Sequence, residues 1–160
     1  MKKRMILVLS LCLTVTLLSA CKGASQSPSK KETKELVYEQ WVSNYMDQLN
    51  DTYEQMTDQF ISDGNGAILQ NAKLAKTAET FDKVVQEGLS HQDVPAAYAK
   101  ADKHLKSGLK SFAKVKNNID QLLKHPEDEE LFIACTDNLQ DGLKKTKSFI
   151  SEVAKVQEKR

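Results

Sequence analysis

The chain has 160 residues, 23 of them basic and 22 acidic, with a formal net charge of +1. That balance, with Lys outnumbering Arg 21 to 2, gives no basis for nucleic acid as a partner, since Arg's planar fork does most bidentate phosphate and base recognition. Of the three cysteines, Cys12, Cys21 and Cys135, only the last lies far from the amino terminus, so no internal disulfide is expected and an apolar core must hold the fold together.

The first residues have the three-part layout of an export signal. Lys2, Lys3 and Arg4 form a positive start, and Met5 to Leu18 form a mostly apolar run of 14 residues interrupted by Ser10, Thr14 and Thr16. A permanent transmembrane helix needs about 20 apolar residues, which this run does not supply. Ser19 and Ala20 provide the small side chains a signal peptidase requires, so residues 1–20 are expected to be absent from the mature protein.

The run Leu18-Ser19-Ala20-Cys21 resembles the lipobox of bacterial lipoproteins, matching it at all four positions. The resemblance implies cleavage before Cys21 and a diacylglyceryl thioether on its sulfur. It also implies residence at the cell membrane on the extracytoplasmic face, because two or more acyl chains anchor stably where one is marginal. The competing reading is an ordinary secretory signal with a chance cysteine. Lipoproteins rich in Lys and poor in Arg are common in Gram-positive bacteria, and the skew here is similar. Removal of residues 1–20 leaves 20 basic against 22 acidic residues, so the mature chain is close to neutral.

Residues 22–34 lack apolar periodicity and cannot bury enough surface to order themselves. They are expected to act as a tether of 13 residues, with an r.m.s. span of about 20 Å. Lys22, Lys30, Lys31 and Lys34 either attract anionic head groups or simply keep the spacer solvated.

Residues 35–160 form the remaining unit, a size suited to one core. Four segments in it repeat apolar residues at spacings of three and four, the helical period. The first stripe is Tyr38, Val42, Tyr45, Leu49, Met56 and Phe60, and the second is Ile68, Ala72, Ala75, Ala78, Phe81, Val85 and Leu89. The third is Tyr98, Ala101, Leu105, Phe112, Val115, Ile119 and Leu122. The fourth is Phe132, Cys135, Leu139, Leu143, Phe149, Ile150, Val153 and Val156. No segment alternates with period two, so no sheet is expected.

The breaks carry their own signals. Asp63-Gly64-Asn65-Gly66 reads as a turn. Gly88 through Val94 is expected to end the second helix, with Asp93 as N-cap ahead of Pro95. Lys124-His125-Pro126 stops the third, and Glu127 to Glu130 favour the amino-terminal dipole of the fourth. The predicted lengths are about 29, 23, 30 and 32 residues. Short connections predict an all-α, antiparallel up-down four-helix bundle. From Pro95 onward the chain resembles a helical hairpin of small Gram-positive lipoproteins of unknown function; that likeness carries no active site with it.

Residues capable of chemistry are few. His91 and His125 fall at opposite ends of the third helix and His104 stands alone, with no Glu-x-x-His or His-Glu-x-x-His pair, so no metal site is expected. The Asp63 turn fails the calcium-loop template, because Ile68 and Leu74 stand where the Gly and the bidentate Glu belong. Cys135 lies on an apolar stripe, where a free thiol behaves as a small hydrophobe. No nucleophile elbow or phosphate-cradling loop is present. The expectation is a protein with no cofactor and no catalytic residue, one that is not an enzyme.

One surplus remains. The first helix carries Tyr38, Trp41, Tyr45, Tyr53 and Phe60, half of the ten aromatic residues. Val37 and Trp41 fall about 80 to 120° to one side of its stripe and neighbour each other at a spacing of four. Either flanking helices cover them, or they form a contact patch for a protein partner, a second copy or the lipid interface. Contact through proteins, as an accessory, adaptor or immunity-type factor, is the leading expectation. The alternative is a small apolar ligand held between the helices where Ala72, Ala75, Ala78, Ala97 and Ala101 leave room, although small residues also permit close packing.

Substitution Cys21→Ser tests the anchor. The variant is expected to lose acylation and the cleavage before position 21, and to leave the membrane fraction. A Cys21→Ser protein that stays membrane-bound and is still processed contradicts the lipoprotein reading.

Overall fold

The computed structural model describes residues 30–61 and 72–159. The signal segment, Cys21, most of the expected tether, Ile68 and the Asp63–Gly66 turn lie outside them. The described residues form a helical bundle of four helices, α1 (Lys30–Ile61), α2 (Ala72–Ser90), α3 (Ala99–Leu122) and α4 (Glu129–Gln157), with a single 3-10 turn at Ala96–Tyr98 leading into α3. No strand occurs among them.

Helix α1 begins at Lys30, inside the stretch expected to be tether. Lys and Glu are good helix formers, and Glu32 sits in the first turn, where the dipole favours negative charge. Residues 31–34 are exposed, so this turn extends the helix without packing; burial begins at Glu35.

The six stripe residues of α1 are all buried, Tyr38 through Phe60. On α2 the buried row is Leu74, Ala78, Phe81, Val85 and Gly88, whereas Ala72 is exposed and Ala75 half-buried. The larger Leu74 takes the inward position because it removes more apolar surface from water than either alanine.

Helix α2 also runs through Gly88 to Ser90. A side chain at Gly88 would collide with the Tyr45 hydroxyl and with Leu109, so this glycine marks a close approach of α1 and α3, and the helix ends two residues later, within the Gly88–Val94 stretch expected to end it. The start of α3 differs too. Pro95, and not Asp93, is the N-cap of the 3-10 turn, with extended backbone (φ −61°, ψ 146°) and no side-chain cap, and Tyr98 is the N-cap of α3 itself. The cap of α4 is Asp128, whose carboxylate accepts the Leu131 N–H at 3.0 Å.

Helix α3 packs most extensively on α4, while α2 packs on both α1 and α3. The α3–α4 contact centres on two glycines. A Cβ on Gly108 would lie 3.0 Å from the Gly142 carbonyl oxygen and 3.1 Å from Thr146 Oγ1. Beside this crossing, Ser111 Oγ donates to Asp141, which also pairs with Lys145. At one end of the pair Lys100 on α3 reaches Glu152 on α4 at 2.9 Å.

Three rings from three helices meet at mid-height. Phe81 lies edge-on to Phe112 with centroids 5.2 Å apart, and Tyr53 lies 6.0 Å from Phe81 and 5.9 Å from Phe112. The fourth helix completes the set with Gly142, because a Cβ there would run into the Phe112 ring. Ordinarily Gly→Ala inside a helix gains up to about 1 kcal/mol. Here Gly142→Ala is expected to destabilise the fold by about 1–3 kcal/mol through overpacking. Urea unfolding followed by circular dichroism reads the sign.

Candidate functional site

The aromatic half of α1 forms a stack along the helix. Residues three and four apart share a face, so Trp41 stacks on Tyr38 at 5.6 Å and on Tyr45 at 4.9 Å. Across from it, the connection after α2 brings the His91 ring onto the indole, with centroids 3.6 Å apart and planes 11° from parallel. Trp41 is therefore half-buried against the core. Val37 is 63% exposed, and its exposed neighbour is Leu36, at 52%. The two residues singled out from the sequence thus separate: Trp41 lies under His91, and Val37 shares solvent with Leu36.

The partnership of His91 with Trp41 leaves no trace in sequence spacing, since the two lie fifty positions apart and only the packing of α2 on α1 brings the rings together. Around them lies a polar corner. Tyr98 shares a hydrogen bond with Glu39. Lys106 Nζ donates to the His91 carbonyl at 2.8 Å and pairs with Asp102 at 3.5 Å. Tyr38 Oη, His91 Nε2 and Asp102 Oδ1 are buried without a hydrogen-bond partner among the described residues. Burial, reinforced by the Asp102 carboxylate, pushes the Tyr38 phenol well above its ordinary value.

The second feature is a groove between α1 and α4. These helices meet through the Phe60–Phe132 ring stack at 5.1 Å and make no extensive contact elsewhere along their lengths. A cavity of about 360 Å³ opens between them. Its floor is Phe112, Leu49 and Tyr53, its walls are Met46 from α1 with Leu143 and Ile150 from α4, and its rim carries Asp47, Asp51 and Lys147.

The alanines expected to leave room between helices do not line this groove. Ala78 and Ala101 are packed in the core, Ala72 and Ala97 are exposed, and Ala75 is half-buried. Ala97 and Ala101 border a separate depression of about 260 Å³ beside Lys100, Lys155 and Glu152. There, hydrogen bonds from Lys155 and Lys100 hold the Glu152 carboxyl down at about 2.

Other reactive groups do not converge. His104 sits half-buried within α3 and His125 is exposed beyond its end, and no group of three or more His, Cys, Asp or Glu among the described residues could hold a metal ion. Comparison of the chain with family models, with curated proteins and with solved structures finds no match.

Cys135 is fully buried, and burial pushes its thiol from 9.0 up to about 12. The folded state therefore holds this proton more tightly than the unfolded chain does. Its contribution to stability is complete below pH 9.0 and is lost as pH rises towards about 12. Tyr53, raised by burial to about 12, acts in the same direction. The expected outcome is a thermal midpoint that declines above pH 9.0. Near neutral pH a polar thiol reagent should leave Cys135 unmodified until the protein unfolds; rapid labelling of the native protein contradicts this picture.

Proposed function

We propose that this chain is a lipid-anchored helical module on the extracytoplasmic face of the cell membrane, acting without catalysis through contacts with protein partners, as an accessory, adaptor or immunity-type factor. Its anchor is Cys21, and its domain is an antiparallel up-down bundle. That arrangement is supported by contacts that run in opposite order along neighbouring helices: Tyr45 bonds to Val84 while the later Tyr53 meets the earlier Phe81, Gly88 nears Leu109 while Phe81 meets Phe112, and Lys100 pairs with Glu152 while Ser111 bonds to Asp141. No described helix is long and apolar enough to cross a membrane.

The observation that carries this reading is the exposed pair Leu36 and Val37. Large aliphatic side chains in water cost roughly 25 cal/mol per Å² of apolar surface, which a docked partner removes. They lie on the first two turns of α1, and Cys21 is only nine positions before Lys30. The reach of that stretch is at most about 30 Å, so an anchor at Cys21 keeps the pair close to the membrane surface.

A photo-cross-linking residue at Val37, introduced into the protein in its own host, tests the reading. A discrete protein adduct is expected there and not at the exposed position Glu54, and it should be lost on Leu36→Asp. Equal, diffuse labelling at both positions overturns it. A second reading is favoured by the α1–α4 groove: a small apolar ligand held between the helices, since about 360 Å³ falls at the lower end of the range for small-molecule pockets.

A further inference from the structure

The rims of the α1–α4 groove carry opposite charge. Asp47 and Asp51 are four residues apart and so share one face of α1, and Lys147 rises from α4 on the other side; all three are exposed and border the same opening. None forms an ion pair among the described residues. The neighbouring α4 residues Asp141 and Lys145 do pair with each other. The three charges thus face the opening without neutralising one another. Like charges at a spacing of four are mildly destabilising, by about 0.2–0.5 kcal/mol, and a cation between them relieves that. Beneath the rims lie the buried side chains of Leu49 and Phe112, 3% and 2% exposed.

We propose that this groove takes a small apolar zwitterion of the amino-acid or dipeptide kind, its ammonium against Asp47 and Asp51, its carboxylate against Lys147, and its apolar side chain on the Phe112 floor. The proposal deepens the second reading above and rests on it. A fatty acid matches this chemistry less well, because its carboxylate satisfies Lys147 while two aspartates face it across the opening. A simple alkylamine has the converse fault. Only a ligand with both charges satisfies both rims while burying an apolar group between them, and charge-assisted bonds of this type are the ones that orient a ligand in an otherwise apolar pocket.

The test is calorimetric titration of the full, acylated chain in lipid nanodiscs with phenylalanyl-leucine, and with the same dipeptide acetylated and amidated at its ends. The free dipeptide should bind at least about tenfold more tightly than the capped one, the worth of one charge-assisted hydrogen bond. Lys147→Gln, and separately Asp47→Asn with Asp51→Asn, should each narrow that gap; these side chains are exposed, so the fold survives the change. Capped and free dipeptides binding alike overturns the zwitterion proposal and leaves the apolar-ligand reading standing. Binding unchanged in the charge variants places the ligand elsewhere and also overturns it. If neither dipeptide binds, both fall.

Discussion

The contact between the Phe112 ring and the bare backbone of Gly142 is the constraint on which the rest of this molecule depends. Phe112 is almost fully buried and meets Phe81 of α2, Tyr53 of α1 and Gly142 of α4, so one side chain of α3 touches all three other helices. A close-packed interior tolerates neither a void nor an extra methyl at such a junction. Gly108 repeats the device one turn away, where the α3 backbone comes against the Gly142 carbonyl. Together the two glycines bring α3 and α4 together more closely than any other pair, and they make that pair the platform on which α1 and α2 lie.

The groove follows from the same junction. Because Phe112 and Gly142 hold α4 tightly to α3, α4 is not free to close on α1. The two helices are joined by the Phe60–Phe132 stack and leave a trough above it. Phe112 is at once the centre of the core and the floor of that trough, so its ring is held by three neighbours before anything binds. At the other end of α1, the stack of Tyr38, Trp41, Tyr45 and His91 stiffens the turns that display Leu36 and Val37.

Much of the helical architecture was legible in the chain because apolar periodicity records which face of each helix is withdrawn from water. All six stripe residues of α1 and all seven of α3 are buried. The failures are equally physical. On α2 the expected row holds from Ala78 through Phe81 to Val85, but at the amino-terminal end Leu74 faces inward in place of Ala72 and Ala75, because alanine is small enough to be tolerated inside or outside. The Gly88–Val94 stretch does end α2, at Ser90, but the close approach of Tyr45 and Leu109 to Gly88 has no signature in the chain. Asp93 offers a capping side chain, yet the backbone at Pro95 enters the turn without it.

By itself the sequence determined the elements whose cause is local: the helical period of the four segments, the acidic start of α4 at Glu127 to Glu130, and the lipobox-like run that ends at Cys21. Tertiary structure alone decided which surplus residues are covered. Val37 and Trp41 are neighbours on one helix and look equivalent along the chain, but the packing of α2 on α1 sets His91 over Trp41 and leaves Val37 beside Leu36 in solvent. Likewise Asp47, Asp51 and Lys147 are unremarkable surface charges until α1 and α4 stand on either side of one groove. Burial of a helical face is encoded within the helix, whereas the identity of what lies opposite depends on how distant segments pack, and the chain records that only through the shape of its core.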